Sequence, residues 1–418
     1  MPTIEATYRV TTPMFLGGAE PQQAELRLPS LKGALRFWWR ASVWPSIAAR
    51  GGSVKDLHRL EAELFGSSDE RVGQSKVSLR LRMDSDMPAA HRVGTQLKDG
   101  NSVVGQGVRY LGYGVMEAFA STKKNTPAGQ LTRECLSQPF SFRVGLVVRG
   151  ALDETQREQI LLALKFLGLL GSLGSKARKG YGSLTLSRLI VAGKEVWSPP
   201  SSVEELRTAL NALFKQALHG RASRNGAAAT GGHPPFTALS NHTKVLIVPP
   251  RETSTSPLRL LDYLGREMIR YRSWGRNGRI LGKENEQSEK QFEGDHDLMK
   301  KPVAARSSHP ERIAFGLPHN YGREENKKVT PADQDLKRRA SPLWLHIHQS
   351  SDGAPAIALL CFMPATFLPE NRSDISVGGK RVPLNTDNLW NPVLSLLDRF
   401  SRGRTEEPFG KIVEVSHV

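Results

Sequence analysis

The chain has 418 residues, of which 39% are hydrophobic and 24% charged. That length allows two or three domains with real cores, and that composition excludes a disordered or membrane-embedded chain. Fifty-eight lysines and arginines against 41 acids give a formal charge of +17, which favours a polyanionic partner, nucleic acid first.

Residues 3–11 alternate as a strand, and "TPMFLGGAEPQQ" reads as a loop. A helix is expected over 31–50, entered at Ser30 as N-cap. "SKVSLRLRM" (75–83) alternates as a second strand, whereas 84–138 is expected to be a glycine-containing excursion with little structure. "FSFRVGLVV" (140–148) is a strand, Asp153 opens a helix to about residue 170, and a strand follows over 183–191. Leaving out the excursion, the order is β-α-β-β-α-β, the ferredoxin-like or RRM-like plan.

"HGRASRNGAAATGGHPP" (219–235) has the composition of a linker. The order then repeats: a strand at 244–250, a helix at 256–274 with Pro257 near its start, strands at 342–348 and 356–363, a helix at 388–400 and a closing strand. The expected fold is therefore α+β, with two tandem ferredoxin-like units at 1–218 and 243–418 joined through 219–242. The second unit carries a charged insertion at about 275–340, for which the pattern gives no structure.

Three stretches stand out chemically. "GSLGSKARKGYGS" (171–183) holds four glycines and three cations without an acid. It is neither a P-loop nor a dinucleotide fingerprint. "KGYGSLTL" matches the start of the RNP1 octamer but has Ser183 and Leu186 where stacking aromatics belong. What remains is a backbone cradle for phosphate or ribose, built from Gly171, Gly174, Ser175, Lys176, Arg178, Lys179, Gly180 and Tyr181. In "SLKGALRFWWRASVW" (30–44), Lys32, Arg36 and Arg40 stand at i, i+4 and i+8, roughly 6 Å apart along one helix face. Trp39 beside them is a candidate contact, against the alternative that the tryptophans are core and the cations solvated. "REMIRYRSWGRNGRILGK" (266–283) interleaves six cations with Tyr271 and Trp274. Arg276, Arg279 and Lys283 there lie beyond what a helix dipole explains.

Catalytic candidates are few. His346 and His348 share a strand face without an evident third metal ligand, and His296 sits in the acidic "GDHDLMK". Nothing matches GxSxG, HExxH or paired catalytic carboxylates. Cys135 and Cys361 form no CxxC, so neither zinc nor a disulfide framework is encoded. No secretory signal and no run of ~20 apolar residues is visible, so a cytoplasmic binder without cofactor, metal or membrane association is expected.

"GSLGSKARKGYGSL" resembles the C-terminal glycine-rich loop of the RAMP superfamily, the repeat-associated proteins of CRISPR systems. "LKGALRFWWRA" is similar to the signature of the first-subunit family of Cmr (type III-B) RNA-guided effectors, as are "TPMFLGG" (12–18), "FGLPHNY" (315–321) and "RRASPLWLHIH" (338–348). The resemblance implies tandem ferredoxin-like domains and a noncatalytic subunit that holds the 3′ region of the guide crRNA near the target RNA in antiviral defence. It also implies partnership with other Cmr-type subunits, one of which cleaves the target. By match to the family's motifs, Gly171, Gly174, Lys176, Arg178, Lys179, Gly180, Lys32, Arg36 and Arg40 become RNA-contact candidates. The alternative is a stand-alone RAMP endoribonuclease that processes CRISPR transcripts. Such enzymes commonly place a histidine near the first strand or helix, whereas the first histidine here is His58.

Overall fold

The computed structural model describes residues 4–18, 20, 23–67, 74–83, 88–219, 232–274, 280, 287–322, 324–333 and 335–416, and the structure below is that of these residues. In chain order the first half comprises β1 (Ile4–Val10), α1 (Leu28–Ala48), α2 (Val54–Phe65) and β2 (Val77–Met83), then the excursion. The excursion holds β3 (Ala90–His91), β4 (Lys98–Asp99), β5 (Ser102–Val103), α3 (Gln106–Leu111) and β6 (Cys135–Leu136). After it come β7 (Phe140–Val148), α4 (Glu154–Leu170), β8 (Leu184–Val191), β9 (Lys194–Trp197) and α5 (Val203–His219). An antiparallel sheet of order β2-β7-β1-β8-β9 carries α1 and α4 on one face. Ile4, Ala6, Tyr8 and Val10 point into that core, as a two-residue period requires.

Helix α1 starts at Leu28, earlier than expected. Pro29 lies in its first turn, where the missing N–H costs nothing, so Ser30 falls inside the helix. Asp153 caps α4 by accepting from Gln156 N at 2.7 Å, as read from the sequence.

The second half comprises β10 (Lys244–Val248), α6 (Pro257–Arg272), α7 (Glu293–Lys300), β11 (His319–Asn320) and β12 (Lys328–Pro331). It continues with β13 (Leu343–His348), β14 (Ile357–Phe362), β15 (Asp374–Val377), β16 (Lys380–Pro383), α8 (Asn391–Ser401) and β17 (Val413–Glu414). The main sheet has the order β13-β14-β10-β17, the same spatial plan as in the first half. A separate antiparallel sheet, β11-β12-β15-β16, gathers the charged insertion and a second excursion that the residue pattern did not reveal. Residues 220–231 of the expected linker lie outside the described residues.

Strands β13 and β14 are buried on both faces, which explains their continuous apolar runs. Trp344, Ile357, Leu359 and Cys361 join the core of the first sheet, while Leu345, Ile347, Leu360 and Phe362 join the core under α6 and α8. The excursion is ordered, contrary to expectation. Leu97, Val104, Val108, Leu111 and Met116 pack into that second core against Leu258, Leu261 and Leu264. Helices α3 and α6 meet at two glycines: a β-carbon on Gly265 would lie 2.3 Å from the Gly107 carbonyl oxygen. The buried Asp262 carboxylate then accepts from Gly107 N at 2.8 Å and Val108 N at 3.2 Å, capping α3 from the neighbouring helix. Among the described residues no helix is long and apolar enough to cross a membrane.

The crossing sets an expectation. Gly265→Ala forces α3 and α6 apart and lowers stability by about 1–3 kcal/mol. Gly33→Ala in α1, whose β-carbon would meet nothing within 4 Å, raises it by about 1 kcal/mol. Urea unfolding of the two variants checks this; equal midpoints would show that the crossing carries no load.

Candidate nucleic-acid interface

The glycine-rich segment 171–183 runs between the two halves of the molecule and is stitched to both. Ser175 N donates to Phe15 O at 2.7 Å, Gly182 N to Pro13 O at 3.0 Å, and Leu345 N of β13 to Arg178 O at 3.2 Å. Thr12 Oγ1 donates to Gly180 O at 2.7 Å and accepts from Ser183 N at 3.0 Å. Gly174 and Gly180 have φ of +91° and +83°, where side chains are strained. A β-carbon would lie 2.5 Å from Phe15 O at Gly174, 2.5 Å from Leu261 Cδ1 at Gly180 and 2.5 Å from Leu167 O at Gly171. The close approach that these glycines permit is therefore to the protein itself. Ser175 likewise spends its backbone N–H on Phe15.

The cations of the segment behave differently. Lys176 has a positive φ of 63° and shares its surroundings with Arg133 and Arg338. Burial, then repulsion by these two arginines, lowers its pKa. Lys179 is only partly exposed. Burial, followed by Arg272, Lys176 and Arg178, pushes its pKa down to about 7. Arg178 lies over the Trp344 ring at 4.4 Å, donates to Ser341 O, and is pushed down to about 10 by burial and by Arg339. Arg272 sits over Phe315 at 4.3 Å with its Nε unpartnered. Among the described residues, Arg133, Lys176, Lys179, Arg272 and Arg338 have no ion-pair partner. The two lysines are partly buried beneath the exposed Arg133 and Arg338, and such a group of like charges without counter-ions is unfavourable alone and is relieved by an anion.

The face of α1 is compensated from within. Arg36 Nε and Arg40 Nη1 both reach Glu61 Oε1 of α2, at 2.7 and 2.5 Å, and Lys32 Nζ donates to Phe65 O at 2.9 Å. Lys32 and Arg36 line a polar cleft of about 780 Å³ with His58, Gln74 and Arg149. Trp39 is core, packed edge-on to Phe65 at 5.8 Å, so it offers no surface for stacking. Tyr181 is likewise fully buried, and its hydroxyl donates to Val108 O at 2.6 Å. Neither residue can stack on RNA, because burial removes both ring faces. Arg276, Arg279 and Lys283 lie outside the described residues. Thus the segment 171–183 and α6 come together, with Arg272 joining them, while α1 presents its cations on a separate face. Arg272, Arg338 and Arg339 lie within the quoted stretches 266–283 and 338–348 but were not named as contacts, and Arg133 lies outside every quoted stretch; the fold alone brings the four near the segment 171–183.

Neither histidine candidate forms a metal site. His346 Nδ1 donates to Gly171 O at 3.0 Å and His348 Nε2 to Pro200 O at 2.7 Å. Burial pushes the two pKa values down to about 3 and about 4, so both rings are neutral. His296 stacks beside Trp274 at 4.4 Å while Asp295 clamps Arg312, Tyr321 and the Glu311 N–H. No group of three metal-binding side chains occurs among the described residues.

Residues 7–185, from β1 through the glycine-rich segment, match the model of the RAMP superfamily. Over those residues the chain is similar to the RAMP superfamily, and the match takes in both the α1 motif and the seam segment. Over the whole chain, the CRISPR system Cmr subunit Cmr1-1 of Pyrococcus furiosus is 26% identical across 398 residues, 94% of each protein. A chain of a type III-B Cmr-beta complex bound to cognate target RNA and AMPPnP aligns with a TM-score of 0.51 at 12% identity, covering 96% of this chain and 99% of that one. A crystal structure of apo Cmr1 from Pyrococcus furiosus covers 99% and 98% at 20% identity, with a TM-score of 0.49. The RAMP-like stretch thus sits in a chain whose overall fold resembles that of a solved Cmr-complex chain.

Removing both α1 arginines strands a carboxylate that is 4% exposed. Arg36→Ala with Arg40→Ala is expected to cost about 1–3 kcal/mol. Adding Glu61→Gln restores most of it in thermal melts; destabilisation that persists with Glu61→Gln would show that the arginines act by packing instead.

Proposed function

We propose that this chain is a noncatalytic RNA-binding subunit of a type III-B (Cmr) CRISPR ribonucleoprotein. It holds the 3′ region of the guide crRNA and nearby target RNA through the cations at its seam, alongside other Cmr-type subunits. The observation that carries this reading is the group of unpaired cations around Lys179, which lies in and beside the segment that ends the RAMP-like stretch. Similarity to a Cmr subunit over 94% of both chains supports the assembly. We read the architecture as two ferredoxin-like units, 1–218 and 243–418, joined through 219–242. The repeated strand orders β2-β7-β1-β8 and β13-β14-β10-β17 support that reading.

RNA binding measured against salt and pH tests the proposal. Lys176→Asn with Lys179→Gln keeps a residue that tolerates positive φ at 176 and removes two charges. It lowers affinity for all single-stranded sequences and flattens the salt slope by about 0.7 for each phosphate no longer neutralised. In the free protein Lys179 loses its proton through pH 7, and a bound polyanion raises that pKa. Binding therefore takes up a proton above pH 7, and affinity falls as pH rises, by at most about tenfold per unit. Lys179→Arg removes that dependence. Unchanged affinity and slope in the double variant would overturn the proposal, and RNA cleavage by the isolated chain with Mg²⁺ would favour the endoribonuclease reading instead.

A further inference from the structure

We propose that Tyr113 is a stacking platform for one unpaired base of the RNA, set beside the seam cations, so that the seam selects single-stranded over duplex RNA. This inference rests on the RNA-binding reading above and adds to it a residue and a strand state.

Exposed aromatics are rare in the described structure. Tyr113 at 71% and Phe119 at 67% are the large ones, both in the excursion after α3. Exposure alone carries little, since single apolar residues occur on any surface. Two further observations single out Tyr113. Its backbone is pinned: Asp262 caps α3, Gly112 N donates to Val108 O at 2.9 Å, and Val115 N and Met116 N return to Gly112 O at 2.9 and 3.2 Å. Gly112 also lies tight against the buried Tyr181 hydroxyl, 2.7 Å from where its β-carbon would stand. An ordered turn thus holds an exposed ring, which lowers the entropic cost of using it.

The second observation is position. Gly114, the next residue but one to Gly112, turns with φ of +90°, and the place of its missing β-carbon is 3.9 Å from Lys176 Nζ. The Lys176 ammonium, which has no ion-pair partner among the described residues, therefore lies against the turn that carries Tyr113. A single strand alternates phosphate and base face, and that alternation matches an ammonium beside an aromatic ring. A duplex shows its phosphates but hides its base faces, so it can use Lys176 and not Tyr113. Sequence preference is not expected, because every base has a face to stack.

The test uses the full chain and single-stranded RNA oligonucleotides carrying 2-aminopurine at successive positions. Tyr113→Ala should weaken single-strand binding roughly five- to hundredfold while leaving the salt slope unchanged. Tyr113→Trp should retain affinity. Quenching of 2-aminopurine at one position should vanish in Tyr113→Ala, and duplex RNA should bind wild type and variant alike. Wild-type single-strand affinity in Tyr113→Ala, with affinity still reduced in Lys176→Asn/Lys179→Gln, would overturn this inference and leave the RNA-binding reading standing. Wild-type affinity in both sets would overturn both. Normal RNA binding in Tyr113→Ala with weakened capture of copurifying subunits would make the ring a protein contact and equally overturn it.

Discussion

The two halves of this molecule share one strip of chain. Segment 171–183 lies against residues 11–17 on one side and β13 on the other, with backbone hydrogen bonds to both. Three of its glycines stand where a β-carbon would strike a carbonyl oxygen, at Leu167, Phe15 and Leu173. Remove that closeness and α4 no longer hands the chain correctly to β8, while β13 loses its partner in the first half. The excursion repeats the device in the other direction: it leaves the first unit, and its α3 packs on α6 at Gly107 and Gly265. Two halves that follow one another along the sequence are therefore interlocked in space.

Placing glycine and lysine together in such a strip has an electrostatic consequence. Tight packing of the backbone carries Lys176, Arg178 and Lys179 into a poorly solvated seam, where Arg272 and Arg338 approach from other elements. Contrast α1, where Glu61 of α2 answers two arginines at once. Both patches look alike in a count of charges. Only the seam is left uncompensated, and an uncompensated group of cations, its lysines partly buried, is the kind that a phosphate backbone completes.

Much of this was legible in the residues. The strands at 140–148 and 183–191, the helix opened by Asp153 and the helix with Pro257 near its start follow from period and helix-start chemistry, which are local. Helices α2 and α5 went unread although Ser53 and Asp56 form a capping box. The excursion was misjudged because its apolar residues have no period of their own: they complete a core contributed by α6, far along the chain. At the candidate site the charges were readable, but the purpose of the glycines was not. Positive φ and close approach announce that something comes near, and only the fold says that it is Phe15, Leu261 and Leu167. The tryptophans of α1 pose the same problem, since burial of Trp38 and Trp39 depends on Phe166, Trp344 and Phe65.

The central claim is that RNA follows the uncompensated seam, not the compensated face of α1. Ultraviolet crosslinking of a single-stranded RNA to the full chain, with peptide mapping by mass spectrometry, tests it most directly. Crosslinks are expected in the peptides spanning 106–133 and 171–183, which carry Tyr113 and Lys176. Crosslinks confined to 30–44 and 54–67, around the cleft of Lys32 and Arg36, would contradict it.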